Sequence, residues 1–226
     1  MNSPGYFWKR WHPVALLLFP LSILMRVVVF FRRFAYRLRL LPVYHSPVPV
    51  IVIGNLTVGG TGKTPLVIRL CEVLGKAGLR PGVVSRGYGR KSTKLRLVSP
   101  SSDPSVVGDE PLLIARRTGA PVIVAEDRCE AARRLLQQGV QVVVSDDGLQ
   151  HYRLPRRIEI CVVDGARGFG NGLLLPAGPL REPLERLFEA VHREAQLHVP
   201  GQVIETGSEF IEAADGGARG WSEDWV

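Results

Sequence analysis

The chain has 226 residues, 46% of them hydrophobic, which allows one ordinary domain with a sizeable core plus an appendage and excludes disorder of the whole. Lys and Arg number 29 against 21 Asp and Glu, a formal net charge of +8, which leaves three partner chemistries: nucleic acid, an anionic membrane surface or a phosphorylated substrate. The three cysteines, Cys71, Cys129 and Cys161, include no CxxC pair, so neither a zinc site nor a disulfide framework is signalled, and buried thiols in a reducing compartment are expected.

Residues 13–31 (PVALLLFPLSILMRVVVFF) are almost wholly apolar, interrupted only by Pro20 and Arg26. A spanning helix needs about 20 apolar residues, and Arg26 near a bilayer centre would cost about 2.5–3.5 kcal/mol. Trp8 and Trp11 precede the stretch as interfacial anchors, and Arg32, Arg33, Arg37 and Arg39 follow it. Positive-inside logic then places the remainder of the chain in the cytoplasm. No small-residue cleavage site follows, so a removed signal peptide is not expected. The expectation is a membrane-associated N-terminal helix within residues 1–41, either spanning or lying in the interface.

Residues 42–49 are Pro-rich and form a linker. Beyond them short apolar runs alternate with helical spacing: strands at 50–53, 82–85, 121–125, 140–145 and 158–163, and helices at 65–76, 109–118 and 128–138. Continuous apolar strands alternating with helices predict an α/β fold, a P-loop NTPase-like parallel sheet with flanking helices on both faces, over residues 50–186. From about Ala190 the rhythm fades; residues 187–226 form a divergent tail, and residues 216–226 (GGARGWSEDWV) have the composition of a disordered terminus.

The chemistry begins at residues 57–64, TVGGTGKT. Thr57, Val58, Gly59, Gly60, Thr61, Gly62, Lys63 and Thr64 fit G-x-x-x-x-G-K-[ST] at every position but the first, where Thr57 replaces Gly. Gly59, Gly60 and Gly62 let backbone N–H groups converge on an anion, and the following helix aims its positive end at it. Lys63 can reach the β and γ phosphates of a nucleoside triphosphate and the Thr64 hydroxyl can ligate Mg²⁺. A related loop carries an extra Lys before the Gly pair, typical of dimeric ATPase switches; Val58 stands there in this chain.

Acidic partners follow. VVVSDD at 142–147 is a buried strand with Asp146 and Asp147 at its C-terminal end, where open α/β sheets bind ligands. The pair is assigned to the metal without dividing the role between them. Asp109 and Glu110, in GDEP, suit a helix start as N-terminal acids, and Asp109 is also the candidate base for an attacking hydroxyl. In SRGYGR, Arg86 and Arg90 either neutralise phosphate or form a solvated basic turn. His151 either orients a neighbour or is a capped surface His.

Together these segments resemble the tetraacyldisaccharide 4'-kinases of lipid A biosynthesis. The resemblance rests on GNLTVGGTGKTP (54–65), SRGYGR (85–90), VGDEP (107–111), AEDR (125–128), SDDGLQH (145–151) and RGFGNGLLLPAGPLREP (167–183), in order. It implies transfer of the γ-phosphate of ATP, with Mg²⁺, to the 4'-hydroxyl of a tetraacylated disaccharide 1-phosphate at the cytoplasmic face of the inner membrane. It implies Asp109 as the catalytic base, and Glu110, Asp146 and Asp147 near the metal. No nucleic-acid partner is expected, and the sequence gives no basis for an oligomeric state. The family pattern also has a second α/β lobe after the REP motif, supplying a His that pairs with the GDEP aspartate. This chain diverges after Arg186, and its His192 and His198 lie in no matching motif. The expectation is therefore a truncated or frame-shifted family member in which nucleotide binding is better supported than turnover. The alternatives are a membrane-tethered P-loop NTPase switch and a non-catalytic remnant of the kinase.

Overall fold

The computed structural model describes Trp8, residues 12–60 and residues 62–187. Trp11, Thr61, His192, His198 and the segment 216–226 lie outside the described residues. Met1–Pro183 forms one compact unit; of the second unit, Leu184–Val226, only residues 184–187 are described.

The first element, α1, runs from Pro13 to Arg37, six residues beyond the apolar stretch. His12 caps its start by accepting from the Val14 N–H, and Pro13 occupies the first turn, where a missing N–H costs nothing. Arg32, Arg33 and Arg37 extend the helix because Arg is as good a helix former as Leu, and Arg37 complements the negative end of the helix dipole. The apolar criterion marked where hydrophobicity stops, not where the helix does.

The remaining elements are β1 (Val50–Gly54), α2 (Lys63–Lys76), β2 (Pro81–Ser85), β3 (Arg96–Val98), α3 (Pro104–Val107), α4 (Asp109–Thr118), β4 (Val122–Val124), α5 (Arg128–Leu136), β5 (Val142–Asp146) and β6 (Ile158–Cys161). The six strands form one sheet in the order β3-β4-β2-β5-β1-β6. All neighbours are parallel except β3 and β4. The wholly parallel sheet expected from the sequence is therefore corrected at one edge. β3 has only three residues, two of them exposed, and α3 has four, so neither carries enough periodicity to be seen.

The central strands are apolar throughout because both faces are covered. Val52, Ile53, Val83, Val122, Val143 and Val144 are completely buried, and Ile53, Val83, Val122 and Val144 share one core with Val67 and Cys71 of α2 and Ile114 of α4. Register then builds the site. Ile53 stands opposite Asp146, and Val84 opposite Ser145, so β1, β2 and β5 end side by side. Whatever follows Ile53, Val84 and Ser145 in the sequence must meet at the C-terminal edge of the sheet.

Gly148, just past that edge, shows how tightly it is built. A Cβ there would lie 2.4 Å from Ser145 Oγ and 2.9 Å from Val52 Cγ1. Gly148→Ala is predicted to lower stability by about 1–3 kcal/mol, read as a lower urea midpoint, because the clashing atoms belong to core strands that cannot yield.

Candidate functional site

The loop after β1 is held by a segment more than a hundred residues away. The Val58 N–H donates to the Pro179 carbonyl (2.9 Å), the Arg181 N–H donates to the Leu56 carbonyl (2.7 Å), and Thr57 bridges to Leu180. Thr57 and Val58 thus form a braced outer arm, with the Val58 N–H turned to protein. Gly59 has φ 117° and Gly62 φ 71°, so the crest and exit of the loop use backbone that favours glycine. Gly62 caps α2 in the left-handed conformation, which leaves Lys63 and Thr64 as its first two residues.

Lys63 turns back to the strand ends. Its ammonium donates to Asn55 Oδ1 at 3.2 Å and lies 3.5 Å from Asp147 Oδ1. Arg181 approaches the same carboxylate, with Nη1 at 3.3 and 3.1 Å from its two oxygens. Burial works to raise the Asp147 carboxyl, but Arg181 and Lys63 beside it hold it below its ordinary value. Asp147 itself has φ 49°, uncommon for a residue with a side chain. The buried Arg128, at the start of α5, donates to the carbonyls of Asp146 (3.2 Å) and Asp147 (2.7 Å) and so fixes that turn.

Asp146 differs from its neighbour. It is 2% exposed; Oδ2 accepts from Ser85 Oγ at 3.0 Å, and Oδ1 has no hydrogen-bond partner among the described residues. Burial pushes its carboxyl up to about 6, against the Ser85 hydrogen bond and with further upward pressure from Glu110. An ionised carboxylate so placed calls for a cation, and its oxygen is the hard donor that Mg²⁺ prefers.

Asp109 and Glu110 open α4 behind Gly108, which caps the helix with no side-chain hydrogen bond. Both are exposed, and the field of Glu110 reaches Asp146. The loop 85–90 lies against this turn: a Cβ on Gly87 would be 2.7 Å from the Val107 carbonyl, and one on Gly108 would be 3.2 Å from Gly87 Cα. The two glycines let the Arg86 and Asp109 segments touch backbone to backbone. Arg86 is exposed, and its charge is felt by Arg128. Arg90 is engaged elsewhere, donating to the carbonyls of Lys94 (2.6 Å) and Thr93 (2.9 Å) to close its own loop.

His151 is half-buried, with Nε2 3.9 Å from Cys129 Sγ. Burial, then Arg128, lower its pKa to about 4. Ligand atoms of Asp127, Cys129 and His151 lie within 4.8 Å of one another. Their oxygens and charges are already committed, since Asp127 caps α5 through the Cys129 and Glu130 N–H groups and pairs with Arg153 at 3.0 Å. The Cys129 thiol is pushed up to about 11, chiefly by burial. The trio packs the start of α5 against the loop after β5.

Asn55, Ser85, Arg128, Gln150 and Arg181 have no assigned role in the sequence reading. Arg128 and Arg181 belong to the AEDR and REP segments, which signalled them; Asn55 was signalled only by being polar at the end of an apolar strand.

A mostly parallel sheet whose first strand feeds a Gly-rich loop into a helix starting Lys-Thr, with aspartates at the end of a neighbouring strand, defines a P-loop α/β protein. The family model described as tetraacyldisaccharide-1-P 4'-kinase, LpxK, matches residues 14–197, and the chain belongs to that family. It is 57% identical over 194 residues to a tetraacyldisaccharide 4'-kinase of Alkalilimnicola ehrlichii, covering 84% of this chain and 58% of that protein. It is 46% identical over 205 residues to one of Shewanella pealeana, covering 90% of this chain and 61% of that protein. A solved structure of "apo" form LpxK from Aquifex aeolicus in complex with ATP superposes with a TM-score of 0.70 at 36% identity, covering 78% of this chain and 57% of that one. The chain thus spans about three-fifths of the length of these curated relatives.

The low pKa of His151 carries a sign. Its folded value of about 4 lies below the ordinary 6.5, so the folded state keeps it neutral, and the stability this contributes is present above pH 6.5 and lost as pH falls toward 4. His151→Gln is predicted to flatten that part of the pH–stability curve, measured as the difference in urea midpoint from the parent chain between pH 7.5 and pH 4.5. Asp146 tilts the curve the opposite way over part of this range, which is why the difference, not the parent curve, is the readout.

Proposed function

We propose that this chain carries the nucleotide site of an ATP-dependent kinase that phosphorylates the 4'-hydroxyl of a tetraacyldisaccharide 1-phosphate, forming lipid IVA at the cytoplasmic face of the inner membrane. The observation that carries this reading is the convergence of Lys63 with the strand-end aspartates: the ammonium 3.5 Å from Asp147, beside a buried Asp146 oxygen with no partner among the described residues. Family membership supplies the acceptor.

The residues divide the work. The N–H groups of Gly59, Gly60, Thr61 and Gly62 and the first turn of α2 bind the phosphates, with Lys63 at the terminal ones. The Asp pair separates: Asp147 holds Lys63 and Arg181 in place, and Asp146, with Thr64 and Glu110, supplies hard oxygen donors for Mg²⁺. When bound, Mg²⁺ neutralises phosphate charge that builds up on the leaving group. Asp109, exposed at the start of α4, accepts the proton of the acceptor hydroxyl. That oxygen forms the new bond to the γ-phosphorus as the bond to the β–γ bridging oxygen breaks, and ADP leaves. Arg86 lies beside this turn for a phosphate of either substrate; Arg90 shapes the loop that presents it.

The apolar helix supports a lipid acceptor. Leu17 is 79% exposed and Leu24 58%, and Phe31 lies on the same outward side, while Ala15, Ser22 and Val29, seven residues apart, are buried against the body of the protein. Ser22 Oγ donates to the Leu174 carbonyl at 2.8 Å, and Tyr36 packs on Tyr152 with centroids 5.6 Å apart. A helix fastened along its length to the nucleotide-binding body favours an anchor lying in the interface over a span.

Incubation with γ-labelled ATP, Mg²⁺ and the disaccharide 1-phosphate in detergent tests the reaction. Transfer that falls by about 10²-fold or more in both Lys63→Ala and Asp109→Ala supports it. Hydrolysis without transfer supports a switch instead, and neither activity in a folded chain supports a non-catalytic form. Membrane attachment has its own test: Leu17→Ser/Leu24→Ser/Phe31→Ser is predicted to shift the chain from sedimenting anionic vesicles to the supernatant, and an unchanged distribution refutes the anchor.

A further inference from the structure

Asn55, the residue after β1, is completely buried, and every polar group of its side chain is matched. Oδ1 accepts from Lys63 Nζ at 3.2 Å, and Nδ2 donates to the Gly59 carbonyl at 3.3 Å. The amide orientation follows from its partners, since an ammonium only donates and a carbonyl only accepts. The Asn55 carbonyl accepts from Gln150 Nε2 at 3.3 Å, and Gln150 Oε1 receives Arg181 Nη1 at 3.4 Å. One side chain therefore ties the crest of the loop to its exit, and its backbone is fixed by the residue that also meets Arg181.

We propose that Asn55 is a positioning residue for Lys63, holding the ammonium at the strand end where the terminal phosphates of a nucleotide would lie. The proposal rests on the phosphate-loop reading above. The chemistry suits a neutral acceptor. A lysine stem is long and flexible, so an ammonium with no fixed partner would wander. A carboxylate in the Asn55 position would hold it but would also compete with phosphate and repel it. An amide oxygen orients the ammonium yet is the weaker acceptor, so a phosphate oxygen can take over or share the proton. Asp147, the anion near Lys63, is already shared with Arg181, which weakens its claim on the ammonium. The second arm of the amide, to Gly59, couples the lysine to the backbone that forms the cradle.

The test measures ATP and ADP binding, each with Mg²⁺, to the 226-residue chain and its variants. Because Lys63 acts on the terminal phosphates, the ratio of ATP to ADP affinity reads its placement, whereas a general loss of structure lowers both alike. Lys63→Ala is expected to reduce the ratio by about tenfold, Asn55→Ala to reduce it by a factor of about three to ten, and the double variant to fall no lower than Lys63→Ala alone. An unchanged ratio in Asn55→Ala, or losses that multiply in the double variant, overturns the positioning role while leaving the phosphate-loop reading intact. No effect of Lys63→Ala on either nucleotide overturns both. Where Asn55→Ala does not yield a folded chain by circular dichroism, Asn55→Asp, of equal size, is read in its place. There a second carboxylate on Lys63 is expected to reduce the ratio by about tenfold, and an unchanged ratio overturns the proposal.

Discussion

Asp147 is the residue about which the site is organised, because its backbone and its side chain are gripped from different parts of the chain. Arg128 reaches from α5 to the carbonyls of Asp146 and Asp147, Lys63 comes from the start of α2, and Arg181 from the segment that braces the phosphate loop. Its φ of 49° is tolerable only where the surroundings over-determine it, and three cations supply that. The consequence is a division within the Asp pair. The left-handed turn directs Asp147 to the cations and leaves Asp146 in line with β5, buried against Ser85, with one oxygen that no described protein group satisfies.

The parts of this arrangement that are contiguous in sequence were legible there. The loop with Lys63 and Thr64, the strand ending in Asp146 and Asp147, and the helix opening on Asp109 and Glu110 each combine a local spacing with a local chemistry. The Asp pair stayed undivided because composition cannot reveal a positive φ at Asp147. Val58 looked like part of the cradle because motif spacing does not say where an N–H points, and here it points to Pro179. Arg181, Gln150 and Arg128 act across separations of 34, 95 and 18 residues, and nothing short of the sheet register brings them to the strand ends. Asn55 was the most accessible of those missed: a polar residue adjoining an apolar strand is buried by its neighbours and must find partners.

The apolar helix α1 and the loop after β1 share their supports. The segment whose Leu174 carbonyl receives Ser22 of α1 is the one whose Pro179 and Arg181 hold the phosphate loop. The loop after β5, which carries Gln150, also meets α1, where Arg32 donates to the Gln150 carbonyl at 3.4 Å and lies over the Tyr152 ring. Tyr152 in turn hydrogen-bonds Glu182, next to Arg181. Under the proposed function, an anchor built into the same compact unit as the sheet would fix the height of the strand ends above a lipid surface, which a flexible tether would leave undetermined. That geometry would serve the lipid acceptor of the proposed function.

The excess of basic residues therefore has two meanings. Several guanidinium groups are engaged by backbone carbonyls: Arg90 by Thr93 and Lys94, Arg128 by Asp146 and Asp147, and Arg156 by Leu149 and His151. Each ties down a loop at the C-terminal edge of the sheet, where strand pairing has ended and the backbone would otherwise lack partners. These charges stabilise the shape of the site, and Arg128 and Arg156 add to the burial that lowers the His151 pKa. A net charge of +8 thus overstates the basic surface available for docking.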